Sequence, residues 1–212
     1  MPRLFSTRRP SPIPLLLLGA ALFWLALGTV RYFAIPKTAP VHYHANFLME
    51  ISGQAINFGK PAYMEETSSC YLTSTPLYPR QRAHLHNSDG GTVHVHTSGV
   101  SWGQFFQSLY FNLGEHAIVD DQGIVYADSD VSKVTYVLNG KTVSSVTNTL
   151  IGNEDSLLVA YGTYSPEDLK KLVTMVPDHA HNYNQTLDPS ACSSTPPETS
   201  AQHLRRSFLF VQ

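Results

Sequence analysis

"RAHLHNSDGGTVHVH", residues 82–96, holds His84, His86, His94 and His96 around a short polar centre. The same H-x-H spacing recurs at His42/His44 and at His179/His181, so eight of the ten histidines stand in such pairs. In a β-strand, residues i and i+2 point to one face, so each pair sets two imidazoles side by side. Whether the two pairs of this stretch meet depends on the loop. A two-residue turn at Asp89-Gly90 sets His86 against Val93 and sends the pairs to opposite faces. A three-residue loop, Asp89-Gly90-Gly91, pairs 86 with 94 and 84 with 96, and all four rings share a face. Such a loop needs a left-handed residue after a type I turn, and Gly91 supplies one. The sequence therefore predicts a hairpin with four imidazoles on one side. Directly opposed Cβ atoms lie about 5 Å apart, within reach of a common ion.

Imidazole ligands suit zinc, copper, nickel and iron. Outside the cytoplasm, copper or zinc is the expected ion, copper because it tops the affinity order for nitrogen sites. His84, His86, His94, His96, His42 and His44 are the expected ligands, with His179 and His181 as a further pair in "DHAHNYN" (178–184), which otherwise reads as a polar loop. Asp89 and Asp178 stand nearby, and Met49 and Met64 offer soft ligands for monovalent copper if they are not simply core residues. The expected function is capture, buffering or transfer of the ion. The alternatives are a zinc-dependent hydrolytic or hydratase-type enzyme, with Glu115 or Asp89 as base, and a metal-free pH-sensing or assembly module. Without a ligand role, the same histidines would be an exposed polar face of a sheet.

Location follows from the first residues. Arg3, Arg8 and Arg9 precede "IPLLLLGAALFWLALGTV", residues 13–30, which has no charge. As a helix this run is about 27 Å long, close to the thickness of a bilayer's hydrocarbon core. Arginines before it place residues 1–12 in the cytoplasm, 13–35 as anchor and juxtamembrane segment, and the rest outside the cell membrane. A cleaved signal peptide is the competing reading. Its apolar region would be long, and no clean small-x-small site follows. Residues 37–192 contain eight Lys and Arg against fifteen Asp and Glu, a net charge of −7. Nucleic acid binding needs clustered basic residues and is not expected, whereas an acidic surface draws cations. Cys70 and Cys192 are the only cysteines. An oxidising compartment favours one disulfide between them, and the rival reading makes Cys70 a soft ligand beside the histidines.

Along residues 37–192, "VHYHANFLMEI" (41–51) reads as a strand that turns and returns through "SGQAINF". Residues 59–80 look irregular. "SWGQFFQSLYF" (101–111) spaces Trp102, Phe105, Phe106 and Leu109 at helical intervals, and Ser101 and Gln104 have capping-box spacing. Short strands follow at "HAIVD", "GIVYA", "KVTYVLNGKTV" and "SLLVAYG", then a helix at "SPEDLKKLVTMV" with Ser165 as N-cap and Pro166 in its first turn. Residues 193–212 read as a disordered tail from their Ser/Thr/Pro content, a pattern the closing "FLFVQ" does not fit. The class is α+β: a mixed or antiparallel sheet with a helix on one face, β-grasp-like, behind a transmembrane helix. Gly99-Val-Ser101-Trp-Gly103 matches the G-x-S-x-G of a nucleophile elbow, with Asp128 or Asp130 and His179 in serine–acid–histidine order. The chain is too short for that hydrolase fold and lacks its alternating strands and helices, so Ser101 is read as a helix cap.

"HYHANFLMEISGQ", "AHLHNSDGGTVHVH", "SWGQFF" and "LIGNEDSLLVAYG" with a late cysteine, spanning residues 41–192, together resemble a group of uncharacterised, membrane-anchored bacterial extracytoplasmic proteins. That resemblance implies no activity. "GNEDSLLVAYG" is also similar to the last strand of β-grasp domains, which bears on the fold alone.

Overall fold

A computed structural model describes residues 13–37, 41–65, 78–185 and 198–209. Cys70 and Cys192, and with them the expected disulfide, lie outside these residues. The chain divides into two compact units: residues 40–196, and residues 1–39 together with 197–212.

The larger unit is built on β1 (Tyr43–Ile51). It continues through β2 (Gln54–Ala55), the one-turn helix α2 (Pro79–Arg82), β3 (Ala83–His84), β4 (Thr92–Val95) and α3 (Trp102–Ser108). Next come β5 (Asn112–Leu113), β6 (Ala117–Val119), β7 (Val125–Ala127), β8 (Lys133–Leu138), β9 (Lys141–Val143) and β10 (Ser156–Gly162). Two helices, α4 (Pro166–Thr174) and α5 (Ala180–Gln185), close it. The main sheet runs β3-β4-β1-β10-β8-β9, with β2 paired to β1, and β5-β6-β7 form a small separate sheet. β1 and β10 are parallel and the other pairs of the main sheet are antiparallel, so the sheet is mixed.

Alternation along β1 and β4 decides what each face carries. Ala45, Phe47, Met49, Val93 and Val95 point to the main core, where Trp102, Phe105 and Phe106 of α3 close over them. Phe47 meets Phe105 and Phe106 at ring-centroid distances of 5.2 and 5.4 Å, within the range of favourable edge-to-face contact. α3 starts as its spacing predicts: Ser101 Oγ accepts from Gln104 N–H and Gln104 Oε1 accepts from Ser101 N–H. The hydroxyl of the G-x-S-x-G motif is thus a helix cap. The opposite face holds Leu48, Val137, Leu158 and Ala160, covered by Leu169, Leu172 and Val173 of α4. Helices therefore pack on both faces, where one was expected. The parallel β1/β10 pair lies in mid-sheet, and each of its faces needs an apolar cover.

The hairpin departs from its expected register. His84 pairs with His94 and Ala83 with Val95, a two-residue shift from the pairing of 84 with 96. Asn87 and Ser88 take the left-handed backbone, at φ 58° and 60°, and Gly91 does not. The two glycines serve close approach instead. A Cβ on Gly90 would run into the backbone of Phe58 and Gly59, and one on Gly91 into the ring of Pro177. A shift of two residues preserves parity, so the histidines keep their common face.

Apart from this unit, α1 (Ile13–Ala34) and α6 (Ser200–Leu209) form a helix pair. α1 is long and apolar enough to cross a membrane. α6 corrects the expected disordered tail. Its Ser/Thr/Pro-rich approach ends at Thr199, whose hydroxyl accepts from Gln202 N–H as an N-cap, and the sequence beyond is an amphipathic helix.

Gly90→Ala is expected to destabilise the larger unit by about 1–3 kcal/mol, since the new methyl meets backbone rather than a movable side chain. Thermal denaturation of the variant against the parent measures this, and an unchanged Tm would contradict the packing described.

Candidate metal centre

Because Val93, Val95, Ala45 and Ala83 face the main core, the residues between them face the other way. Three strands then place histidines in adjoining positions. His44 on β1 lies opposite His94 on β4, and His94 lies opposite His84 on β3. One pair-step along, His42 stacks on His96 at a centroid distance of 4.7 Å, and His96 stacks on His84 at 4.8 Å. His86, just past β3, lies 3.6 Å from the His94 ring centroid. His42, His44, His84, His86, His94 and His96 thus form one contiguous cluster. All but His42 are buried, at 6 % exposure or less.

The nitrogen atoms converge. His44 Nε2 is 2.8 Å from His94 Nδ1, and His86 Nε2 is 2.9 Å from the same atom. His42, His44 and His94 can each offer a ring nitrogen such that all three lie within 4.8 Å of one another, a group that could hold a metal ion. Ligand atoms about 2.0–2.1 Å from zinc in a tetrahedron are about 3.3 Å apart, which falls inside that spread.

Tautomers are set from outside the cluster. Asn184 Oδ1 accepts from both His44 Nδ1 (2.8 Å) and His44 N–H (3.1 Å). The amide is held in that sense by Asn184 Nδ2, which donates to Asn153 Oδ1 at 2.9 Å. His84 Nδ1 donates to the Arg80 carbonyl at 2.7 Å. Both rings therefore present Nε2 as a lone pair, the arrangement in which a hydrogen bond at one ring nitrogen orients the other toward a metal. A single proton on His94 Nδ1 can serve only one of its two close neighbours, whereas an ion takes lone pairs from all. Burial pushes the His96 imidazole down to about 2, and repulsion from His84, His42, His94 and His86 adds to the effect.

α5 lies over the cluster. The Tyr183 ring is 5.5 Å from His44 and 5.7 Å from His94, and Ala180 N–H donates to Asn46 Oδ1 beneath. The structure does not bring His179 and His181 into the cluster. They sit on the outer side of the strap, more than half exposed, with His179 Nδ1 3.0 Å from Asp89 Oδ2 and His181 Nδ1 3.2 Å from Glu154 Oε1. Their spacing does not share a face as strand spacing would, because residues 180–185 are helical. Tyr183 donates to the same Asp89 oxygen at 3.1 Å, and Gly91 N–H donates to the other at 2.9 Å. Burial raises the Asp89 carboxyl, but hydrogen bonds from Gly91, His179, Thr92 and Tyr183 outweigh it and hold the group below the usual range. Asp89 is thus a fastener for the strap, not a free base. Glu154 is likewise held low by Asn184 and His181.

The remaining candidates are elsewhere. Met49 lies in the main core and Met64 packs against it, both away from the histidine face. Glu115 is exposed beside His116, 3.9 Å away. Asp128 pairs with His116 and His179 with Asp89, so no serine–acid–histidine set forms around Ser101. Sequence reading missed Asn184 and Tyr183. "DHAHNYN" carries both, but only the helical fold of 180–185 over β1 turns them toward His44.

The fold and the site define an α+β domain with a mixed sheet and a histidine group that could hold a metal ion. No family model, curated protein or solved structure matches the chain.

The metal-free domain is expected to lose stability on acidification. Between about 6.5, the unfolded histidine value, and about 2, the unfolded chain binds a proton that folded His96 refuses. Stability is then greatest above pH 6.5 and falls below it by about 1.4 kcal/mol per pH unit from this group. Chemical denaturation at pH 7.5, 6 and 4.5 measures the slope, and His96→Asn should reduce it. A slope of zero would contradict the burial.

Proposed function

We propose that the larger unit is an extracytoplasmic metal-binding domain, tethered to the cell membrane by α1, that captures, buffers or hands on copper or zinc. The single observation behind this reading is the cluster of six imidazoles, five of them buried, from β1, β3 and β4 and the segments beside them. Burying five polar rings together costs more than burying apolar ones, and a sheet could fill that face with valine. A site for an ion explains the choice. His42, His44 and His94 are the central ligands, and His84, His86 and His96 complete the available set. The ligands are neutral imidazoles, which suit both copper and zinc. Asp89 and Glu154, on the two sides of α5, add negative charge beside the cluster and would draw a cation toward it.

Two further points support the reading. The sheet order sets the first and last strands, β1 and β10, parallel at the centre with antiparallel partners outside, and α3 follows the first of those partners. That order supports a β-grasp-like arrangement. The arginines before α1 favour a cytoplasmic N-terminus, which would put residues 37 onward outside.

Elemental analysis and calorimetric titration of the purified chain with copper and zinc test the proposal. Stoichiometric binding is expected. His44→Ala and His94→Ala should abolish or greatly weaken it, and Asn184→Ala, which frees the His44 ring, should weaken it about 10–100-fold. His179→Ala and His181→Ala should bind as the parent does. No binding by the folded parent would overturn the assignment.

A further inference from the structure

Phe208 and Leu209 of the closing apolar stretch find a place in the smaller unit. α6 runs antiparallel to α1, and the contacts between them change character along the pair. At one end they are polar. Lys37 Nζ donates to Ser200 Oγ at 3.2 Å, and Arg206, itself paired with Glu198, donates from Nη2 to the Pro36 carbonyl at 2.7 Å. His203 Nε2 donates to the Tyr32 carbonyl at 2.9 Å. At the other end they are apolar. The Phe208 ring packs on Gly28 and meets Trp24 edge-on at 5.4 Å. Gly28 is the one buried residue of α1, and any side chain there would occupy the space of that ring. Small residues allow this kind of close approach between membrane helices.

The last turn of a helix leaves carbonyls without intrahelical partners, and such groups are costly in hydrocarbon. Here α1 supplies donors for two of them. Arg31 Nε donates to the Ser207 carbonyl at 3.2 Å, and Trp24 Nε1 donates to the Phe208 carbonyl at 3.1 Å. Arg31 is also the residue at which the uncharged run of 13–30 ends. Ser207 is therefore level with the edge of that run, and Phe208 lies beside it. Leu204 and Leu209 are about half exposed, and the α1 side chains Leu22, Phe23 and Val30 are exposed as well.

We infer that α1 is retained in the mature protein and that α6 folds back along it, so that Phe208 and Leu209 enter the lipid leaflet on the side of residue 35, with hydrocarbon covering Leu209. This rests on the membrane-anchor part of the proposed function. Removal of α1 would take away the ring seat at Gly28 and the donors to both carbonyls. The polar end, with Arg205 exposed and Arg206 paired to Glu198, sits where headgroups and water meet the bilayer, as the charged face of an interfacial helix does.

The test uses the full chain in its own membranes. Alkaline washing and intact-mass measurement ask first whether the protein stays embedded with residues 1–36 attached. Release by the wash, or a mass lacking those residues, overturns the anchor and this inference together. Benzoylphenylalanine is then placed at Leu209 and, in a separate chain, at exposed Ala201 near the polar end of α6, and the membranes are irradiated. A lipid adduct at Leu209, several-fold stronger than any at Ala201, is expected. An embedded chain with no lipid adduct at Leu209 overturns the inference and leaves the anchor standing. Gly28→Phe, which fills the seat of Phe208, should cut the Leu209 adduct several-fold. An unchanged adduct would show that docking on α1 does not hold α6 in the leaflet, and would overturn the fold-back.

Discussion

The larger unit depends on the period of two in β1 and β4. Along "HYHANF" and "TVHV" one set of side chains is apolar and enters the aromatic core under α3, and the alternate set is left for the opposite face. The core thereby orients the imidazoles without touching them. A histidine cannot turn inward unless its neighbouring valine or alanine turns outward, and the burial of Val93, Val95, Ala45 and Ala83 opposes that. Packing energy spent on one side of the sheet is what fixes the geometry of the other.

This parity is why the histidine face was legible. The sequence reading had the wrong loop, assigning the left-handed position to Gly91, and so the wrong register by two residues. The shared face survived because any even shift preserves it. His42 and His44 join because β1 is the next strand over, a pairing that periodicity alone could not supply. The antiparallel contact of β1 with β4 is made across nearly fifty residues of chain, and only the assembled sheet order reveals it.

What was not legible has a common cause. α5 is six residues long and mostly polar, and no periodic apolar pattern marks it. Its helical form depends on docking, through Asn46 below and Asp89 and Glu154 at the sides. The same holds for α6, whose partner α1 stands at the far end of the sequence. Propensity reads local preference, and both elements depend on contacts far away in sequence: α5 on His44 and Asn46 of β1, and α6 on α1. α3 and α4, by contrast, announce themselves through capping boxes at Ser101 and Ser165.

The strap also bears on how an ion would come and go. Four of the six cluster histidines are 2 % exposed or less and α5 lies over His44 and His94, so an ion held by those two would be shielded from solvent on that side while α5 is in place. The contacts that hold α5 are of three kinds, the first being Asn46 Oδ1, which accepts from His179 N–H and Ala180 N–H beneath it. Asn184 grips His44 itself, whereas His179, His181 and Tyr183 grip Asp89 and Glu154 outside the cluster. The outer set involves hydrogen bonds from exposed histidine rings and the Tyr183 hydroxyl, which water can replace at little cost. Loosening them costs less than disturbing the sheet, whose strands are locked by the aromatic core. Exchange is therefore expected to proceed by movement of α5 over a fixed set of ligands, with the sheet as the rigid part and the strap as the part that yields.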